Sequence, residues 1–175
     1  MSFFIKKIEP NLLLNLSFPE KLIIWAAREW LQQIRQAKDP RKSLIKSFSQ
    51  FLIQEAVYHF DKYMRITACC SINSIDIRSH CCLNVGDGEN DMLASLSFSQ
   101  NNFKNLNQIV LESILEDKSI NNAVKCIEEI AISFARAGFF FPIRKIYFIK
   151  AKSNPEDFKN VIFNQFNKNN FMKYY

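Results

Sequence analysis

Val85-Gly86-Asp87-Gly88-Glu89-Asn90-Asp91-Met92-Leu93 lies in the middle of this 175-residue chain, and two readings of it lead to two different folds. As an acidic loop it offers Asp87, Glu89 and Asp91 to a hard cation such as Mg²⁺, which prefers carboxylate and phosphate oxygens. As a helix start it uses the same residues differently. Gly86 and Gly88 permit tight backbone geometry. Asp87 can accept hydrogen bonds from unpaired N–H groups, while Glu89 and Asp91 suit the positive end of a helix. Met92, Leu93 and Leu96 then fall on one helical face.

Residues 86–91 resemble the acidic GDGxND loop of haloacid-dehalogenase-like phosphatases. The resemblance implies a Mg²⁺-dependent phosphoryl-transfer enzyme with Asp87 and Asp91 as metal ligands. That family also needs a nucleophilic Asp-x-Asp at the end of a buried strand. None stands upstream, where Asp39, Asp61 and Asp76 are each isolated. The calcium loop of EF-hands fits no better, because Met92 falls where a glycine is needed and Phe98 where the bidentate glutamate belongs. The helix start is therefore the reading adopted, and the phosphatase-like enzyme is the alternative.

The composition is that of one globular domain with ample core: 48% of residues are hydrophobic and Phe alone occurs 17 times. The longest apolar candidate for a membrane span, residues 22–27, is short and flanked by Lys21 and Arg28. Residues 1–7 place their lysines after the apolar residues, the reverse of a secretory signal. These features, with an odd number of cysteines, lead to the expectation of a cytoplasmic protein that is not transmembrane. The net charge of +6 is uneven. Residues 1–85 carry twelve basic and seven acidic side chains, residues 86–129 three and eight, and residues 139–175 seven and two. Such asymmetry suits an anionic partner, or a dimer in which an acidic face meets a basic one.

Hydrophobic periodicity predicts a mainly α fold of six or seven helices around one core. Residues 1–18 read as an irregular arm in which Leu12-Leu13-Leu14 packs against the domain. Residues 19–38 form a helix with Ile23, Ala27, Trp30, Ile34 and Ala37 inward, and with Glu20, Lys21, Arg28, Gln32 and Arg35 elsewhere. Pro19 fits its first turn. Asp39-Pro40 reads as the N-cap and N1 of a second helix striped by Leu44, Ile45, Phe48, Phe51 and Leu52. A third helix carries Ala56, Val57, Phe60, Tyr63 and Met64. Residues 88–99 are a fourth, and Leu106, Ile109, Val110 and Ile114 mark a fifth. Residues 119–137, capped by Ser119 and ended by Gly138, are the cleanest helix. Residues 75–78 and 143–149 read as a short β-hairpin, and residues 153–175 as a C-terminal helix with a frayed tail. The helical domain proper is residues 19–152.

Three constellations can carry chemistry. Cys69, Cys70, His80, Cys81 and Cys82 offer thiolates and an imidazole to Zn²⁺, but adjacent cysteines point apart in regular structure, so small buried side chains are the simpler assignment. Arg35, Lys38, Arg41, Lys42 and Lys46 straddle the first helix junction. They could contact nucleic-acid phosphates or another anionic surface, though no aromatic platform interleaves with them. His59 and His80 have no nucleophile motif beside them. No cofactor is expected.

The text Trp25-Ala26-Ala27-Arg28-Glu29-Trp30, Asp39-Pro40-Arg41, Ile75-Asp76-Ile77-Arg78-Ser79-His80-Cys81-Cys82, Glu89-Asn90-Asp91-Met92-Leu93 and Gln100 resembles small helical proteins of alphaproteobacteria. The resemblance spans residues 20–141 and implies a bacterial cytosolic protein with a helical fold. It implies no activity. The leading expectation is a non-enzymatic protein-interaction or structural module, with a protein partner or a second copy of itself.

Overall fold

The computed structural model describes residues 12–143. Within them, six helices and one short 3₁₀ turn (Leu13–Asn15) build a compact bundle without a strand: α1 (Phe18–Arg35), α2 (Pro40–Ser49), α3 (Ala56–Cys70), α4 (Asp87–Gln100), α5 (Lys104–Ile114) and α6 (Asp117–Arg136). The expected mainly α bundle is what forms. Residues 75–78 are irregular rather than a strand. Residues 1–11, all but the first residue of the 143–149 strand, and the C-terminal helix of residues 153–175 lie outside the described residues.

The helix starts follow local chemistry. Ser17 precedes α1, and Glu20 Oε2 accepts from the Ser17 N–H at 2.8 Å and from its hydroxyl at 2.7 Å, a capping pair with Pro19 in the first turn. Asp39 caps α2 by accepting the Arg41 N–H at 3.0 Å, with Pro40 at N1. Ser119 does not cap α6; Glu116 is its N-cap, and Ser119 lies buried in the first turn.

Four helix ends share one device. Ala37, Leu52, Asn102 and Gly138 take φ of 54°, 59°, 59° and 81°. In each case the next N–H reaches a carbonyl five residues back: Lys38 to Gln33 at 2.9 Å, Ile53 to Phe48 at 3.1 Å, Phe103 to Phe98 at 2.8 Å and Phe139 to Phe134 at 2.9 Å. These are Schellman ends, for which Gly is the usual residue and Asn the next. A chain with three glycines meets the demand once with Gly. The device also corrects two expectations, because Ala37 and Leu52 lie in turns and are exposed rather than on buried helical stripes. Ile34 and Ile45 are likewise 38% and 49% exposed.

The core is continuous through α1, α2, α3, α4 and α6, with Ile23, Ile24, Leu44, Phe48, Phe60, Leu93, Leu96, Ile127 and Phe134 all sealed from solvent. Each such side chain contributes about 1.5–3 kcal/mol by leaving water. A second small cluster, Ala94, Phe98, Phe103, Leu106 and Val110, joins α4 to α5. Helix α4 is the central element. Every residue from Met92 to Phe98 is buried, including Ser95 and Ser97. A single apolar stripe does not describe it; a helix covered on all sides needs small and apolar residues on every face. Side-chain hooks hold the segment after α6 to α4: Gln100 donates to the Ala131 and Phe139 carbonyls at 3.0 Å each and accepts from the Phe141 N–H at 2.8 Å.

Residues 71–86 cross between α3 and α4 without regular structure, pinned at one end by Ile72 N–H to Ile114 carbonyl at 3.0 Å. At the other end, Gly86 and Gly88 are required by close approach. A Cβ on Gly86 would collide with the Asp76 carbonyl, and one on Gly88 with the Ile75 side chain. Because the Gly86 obstacle is backbone, Gly86→Ala is expected to destabilise the fold by about 2 kcal/mol or more, read as a lower midpoint in urea; an unchanged midpoint would show that the turn has room.

Candidate functional site

The helix-start segment is the centre of a buried polar clamp. Arg28, halfway along α1, donates from Nε to Glu89 Oε1 at 2.7 Å and from Nη2 to Glu89 Oε2 at 2.9 Å. Its remaining contacts run to the Cys82 carbonyl at 2.6 Å and the Asn84 carbonyl at 3.0 Å. Glu89 also accepts the Gly86 N–H at 2.7 Å and the Arg78 N–H at 3.2 Å. The two side chains are 2% and 0% exposed. The hydrogen bond to Glu89 holds the Arg28 proton more tightly than usual, and its gain exceeds the opposing effect of burial.

Three expectations change here. Arg28 and Glu20, assigned to the outer side of α1, are buried. Gly86 rather than Asp87 is the N-cap of α4, and Glu89, three residues on, satisfies the cap N–H. Glu89 is not a solvated dipole partner but a carboxylate fully engaged by protein donors. Of the Mg²⁺ candidates, Asp87 is exposed and Asp91 half-buried, and the Asp87 N–H donates to Asp76 Oδ2 at 3.2 Å. Asp76 in turn pairs with Arg78 at 2.7 Å.

A second polar knot lies beside the clamp. Glu29 Oε1 accepts from Ser43 Oγ at 2.7 Å and from Gln33 Nε2 at 2.8 Å, while His80 Nε2 lies 3.2 Å from Glu29 Oε2. The knot ties α1, α2 and residues 71–86 together. It is not a nucleophilic triad, because Ser43 donates to the carboxylate and not to the imidazole. Burial pushes the Glu29 carboxyl up, but the Ser43, Gln33 and His80 contacts outweigh it and the net shift is down.

The expected burial of Cys69, Cys70, Cys81 and Cys82 is corrected, because none of the four is fully buried. Cys69 and Cys70 end α3, with Cys69 exposed and Cys70 half-buried; Cys81 is exposed and Cys82 half-buried on the crossing segment. All are free thiols. Among the described residues, no three His, Cys, Asp or Glu side chains come together in an arrangement able to hold a metal ion. Cys126 is buried in α6, and desolvation pushes its thiol up. In the basic set, Arg41 is engaged by Asp39 at 3.0 Å and Lys38 by Gln36 at 2.8 Å, while Arg35, Lys42 and Lys46 are exposed. His59 packs edge-on against Tyr58. No helix among the described residues is long and apolar enough to cross a membrane.

Two surfaces were not anticipated. One is an open groove of about 400 Å³ between the end of α4, the start of α5 and the outer side of α6, lined in part by Gln100, Lys104, Asn107, Glu128 and Ile132. Asn107 is 2% exposed and its Oδ1 has no hydrogen-bond partner. The signal was present, since an Asn occupies a place on the buried stripe of Phe103, Leu106 and Val110. The other is an aromatic edge. Phe18, Phe51 and Phe139 pack edge-on or tilted against one another with ring centroids 5.0, 5.5 and 6.2 Å apart, and the exposed Leu52 and Phe140 follow Phe51 and Phe139 in the chain.

Removing one member of the clamp strands the other. Arg28→Met should cost about 3–5 kcal/mol, and Glu89→Leu added to it should recover much of the loss; calorimetric melting of both variants decides, and equal losses in the single and double variants would refute the pairing. The Glu29 knot predicts a pH signature. A carboxyl depressed in the fold contributes fully above its ordinary value of 4.5, and that contribution is lost as pH falls through the lower folded value. Glu29→Gln should therefore lower stability by about 1 kcal/mol at neutral pH, with the difference from the parent closing in acid; a pH-independent difference would contradict it.

No protein-family model, curated protein or solved structure matches this chain.

Proposed function

We propose that the chain is a non-enzymatic interaction module that pairs with a second copy of itself through the aromatic edge. The observation that carries the reading is Leu52. It is 85% exposed and holds φ of 59°, a conformation that costs a non-glycine residue about 1–2 kcal/mol. Stability alone favours Gly or Asn at such a helix end. A large apolar side chain there is disfavoured twice in the free monomer and favoured by contact with an apolar surface.

The neighbourhood supports a self-complementary contact. Phe18, 46% exposed, belongs to the ring cluster, and Phe140, 66% exposed, directly follows its member Phe139 in the chain. The rim carries both signs of charge. Arg136, in the last turn of α6, faces Glu55 at a loose 3.5 Å, and both are largely exposed. About a two-fold axis such a pair can exchange partners between copies without placing like charges together. The rigid rings limit the side-chain ordering that association requires.

Sedimentation velocity of the full chain tests this. The parent should sediment as a dimer at micromolar concentrations, and Leu52→Asp with Phe140→Asp should give monomer with an unchanged far-ultraviolet circular dichroism spectrum. Leu52→Asn should weaken the dimer while leaving monomer stability equal or higher. A parent chain that is monomeric throughout overturns the reading, including the case in which the chain's own residues 144–175 cover the edge.

A further inference from the structure

Cys81 and Cys82 are adjacent, neither is fully buried, and neither lies in a helix or a strand. That last point separates them from Cys69 and Cys70, which close α3. A disulfide between neighbouring residues makes an eight-membered ring around the peptide that joins them, so both Cβ atoms must turn to one side. Successive side chains stand about 100° apart on a helix and on opposite faces of a strand, and either geometry keeps the sulfurs apart. The Cys81–Cys82 peptide is free of that constraint. It ends a turn closed by the Cys82 N–H on the Ser79 carbonyl at 3.0 Å, and both sulfurs lie within electrostatic reach of the Arg28 guanidinium.

The same two residues hold part of the clamp. Arg28 Nη1 donates to the Cys82 carbonyl at 2.6 Å, and the Arg28 side chain is 2% exposed. Ring closure resets the backbone torsions on both sides of the Cys81–Cys82 peptide, and those torsions aim the Cys82 N–H and the Cys82 carbonyl. A carbonyl turned away leaves a buried guanidinium N–H with no acceptor, the costly case for a charged donor. A two-residue loop adds almost nothing in return, because the stabilisation a cross-link brings by restricting the unfolded chain grows with the length it encloses.

We propose that Cys81 and Cys82 are a redox-active pair that a low-molecular-weight disulfide oxidises to a vicinal disulfide, loosening the Arg28–Glu89 clamp. Cys81, the exposed member, attacks one sulfur of the reagent and forms a mixed disulfide, expelling the other half as a thiol. Cys82 then attacks the Cys81 sulfur and expels the second half. The two protein thiols lose two electrons and two protons; the reagent takes up both and leaves as two thiols. By linkage, the factor by which the disulfide weakens the clamp is the factor by which the clamp disfavours the disulfide. No residue of the aromatic edge takes part, so the pair is tested independently of self-association.

Reduced full-length chain is incubated with excess glutathione disulfide, and its tryptic peptides are weighed. Cleavage after Arg65, Arg78, Lys104 and Lys125 puts Cys69 with Cys70, Cys81 with Cys82, and Cys126 on three different peptides. The peptide of residues 79–104 should lose two hydrogen atoms while the others keep their mass. The oxidised chain should melt about 3–10 °C below the reduced one, the fall expected for one charge-assisted hydrogen bond in a chain of this length. The same treatment should leave the melting of Cys82→Ser unshifted. In Arg28→Met with Glu89→Leu, which has no guanidinium to strand, the equilibrium with glutathione should favour the disulfide about tenfold or more over the parent. The melting comparison changes nothing in the clamp and decides alone if that double variant fails to fold. No mass change in residues 79–104, a lasting glutathione adduct at Cys81, closure at Cys69–Cys70, a disulfide-linked dimer, or an oxidised chain that melts at or above the reduced temperature would each overturn the proposal.

Discussion

The bidentate contact between Arg28 and Glu89 joins the first helix to the fourth through charges withdrawn from water. Such a pair carries a desolvation cost of several kcal/mol per ion, which mutual attraction offsets only when the other donors and acceptors are satisfied as well. Here they are. The guanidinium also serves the Cys82 and Asn84 carbonyls, and the carboxylate also serves the Gly86 and Arg78 N–H groups. The otherwise irregular crossing segment therefore takes its course from four hydrogen bonds to one ion pair. The N-terminal turn depends on it in sequence: the Leu13 N–H reaches the Leu83 carbonyl at 2.8 Å, and Leu12 bridges Asn84. Glu29, next to Arg28 in the chain, extends the same attachment outward through His80.

Around that clamp the bundle organises itself by helix α4. Its small residues Ala94, Ser95 and Ser97 are buried, and its start is held by Glu89 while its last residue, Gln100, hooks the chain after α6. The Phe134 ring connects this middle layer outward to Phe48, Phe139 and Phe141. The aromatic edge is thus the exposed margin of the core rather than a separate surface cluster. The groove on the α5 side has the opposite character, polar at its walls and anchored by an unsatisfied amide.

Much of the architecture was legible in the residues. The Asp39-Pro40 junction, the stripe of Ala56, Val57, Phe60 and Met64, the long helix ending before Gly138, and the core position of Trp30 follow from local capping and a 3.6-residue period, which act within one or two turns. The helix beginning near Gly88 was legible for the same reason. Its burial on all sides was not, because periodicity reports the contrast between faces and is silent when every face is covered. The alternation of Ile75-Asp76-Ile77-Arg78 suggested a strand, yet a strand needs a partner. The clamp and the close approach of Gly86 to Asp76 give that segment a different set of bonds. The αL ends at Ala37 and Leu52 escaped notice because neither is Gly or Asn.

By itself the sequence determined the six described helices, the Asp39-Pro40 start of α2 and the absence of a local nucleophile pattern, because those properties depend on neighbours within a few residues. Only the tertiary structure decided what the charged residues do. Arg28 and Glu89 stand 61 positions apart, and each reads alone as a solvated surface charge. Their pairing, the occupation of both Glu89 oxygens, and the isolation of Asn107 beneath the α5 groove arise where distant helices meet. Burial and hydrogen-bond satisfaction are properties of that meeting and not of any stretch of chain.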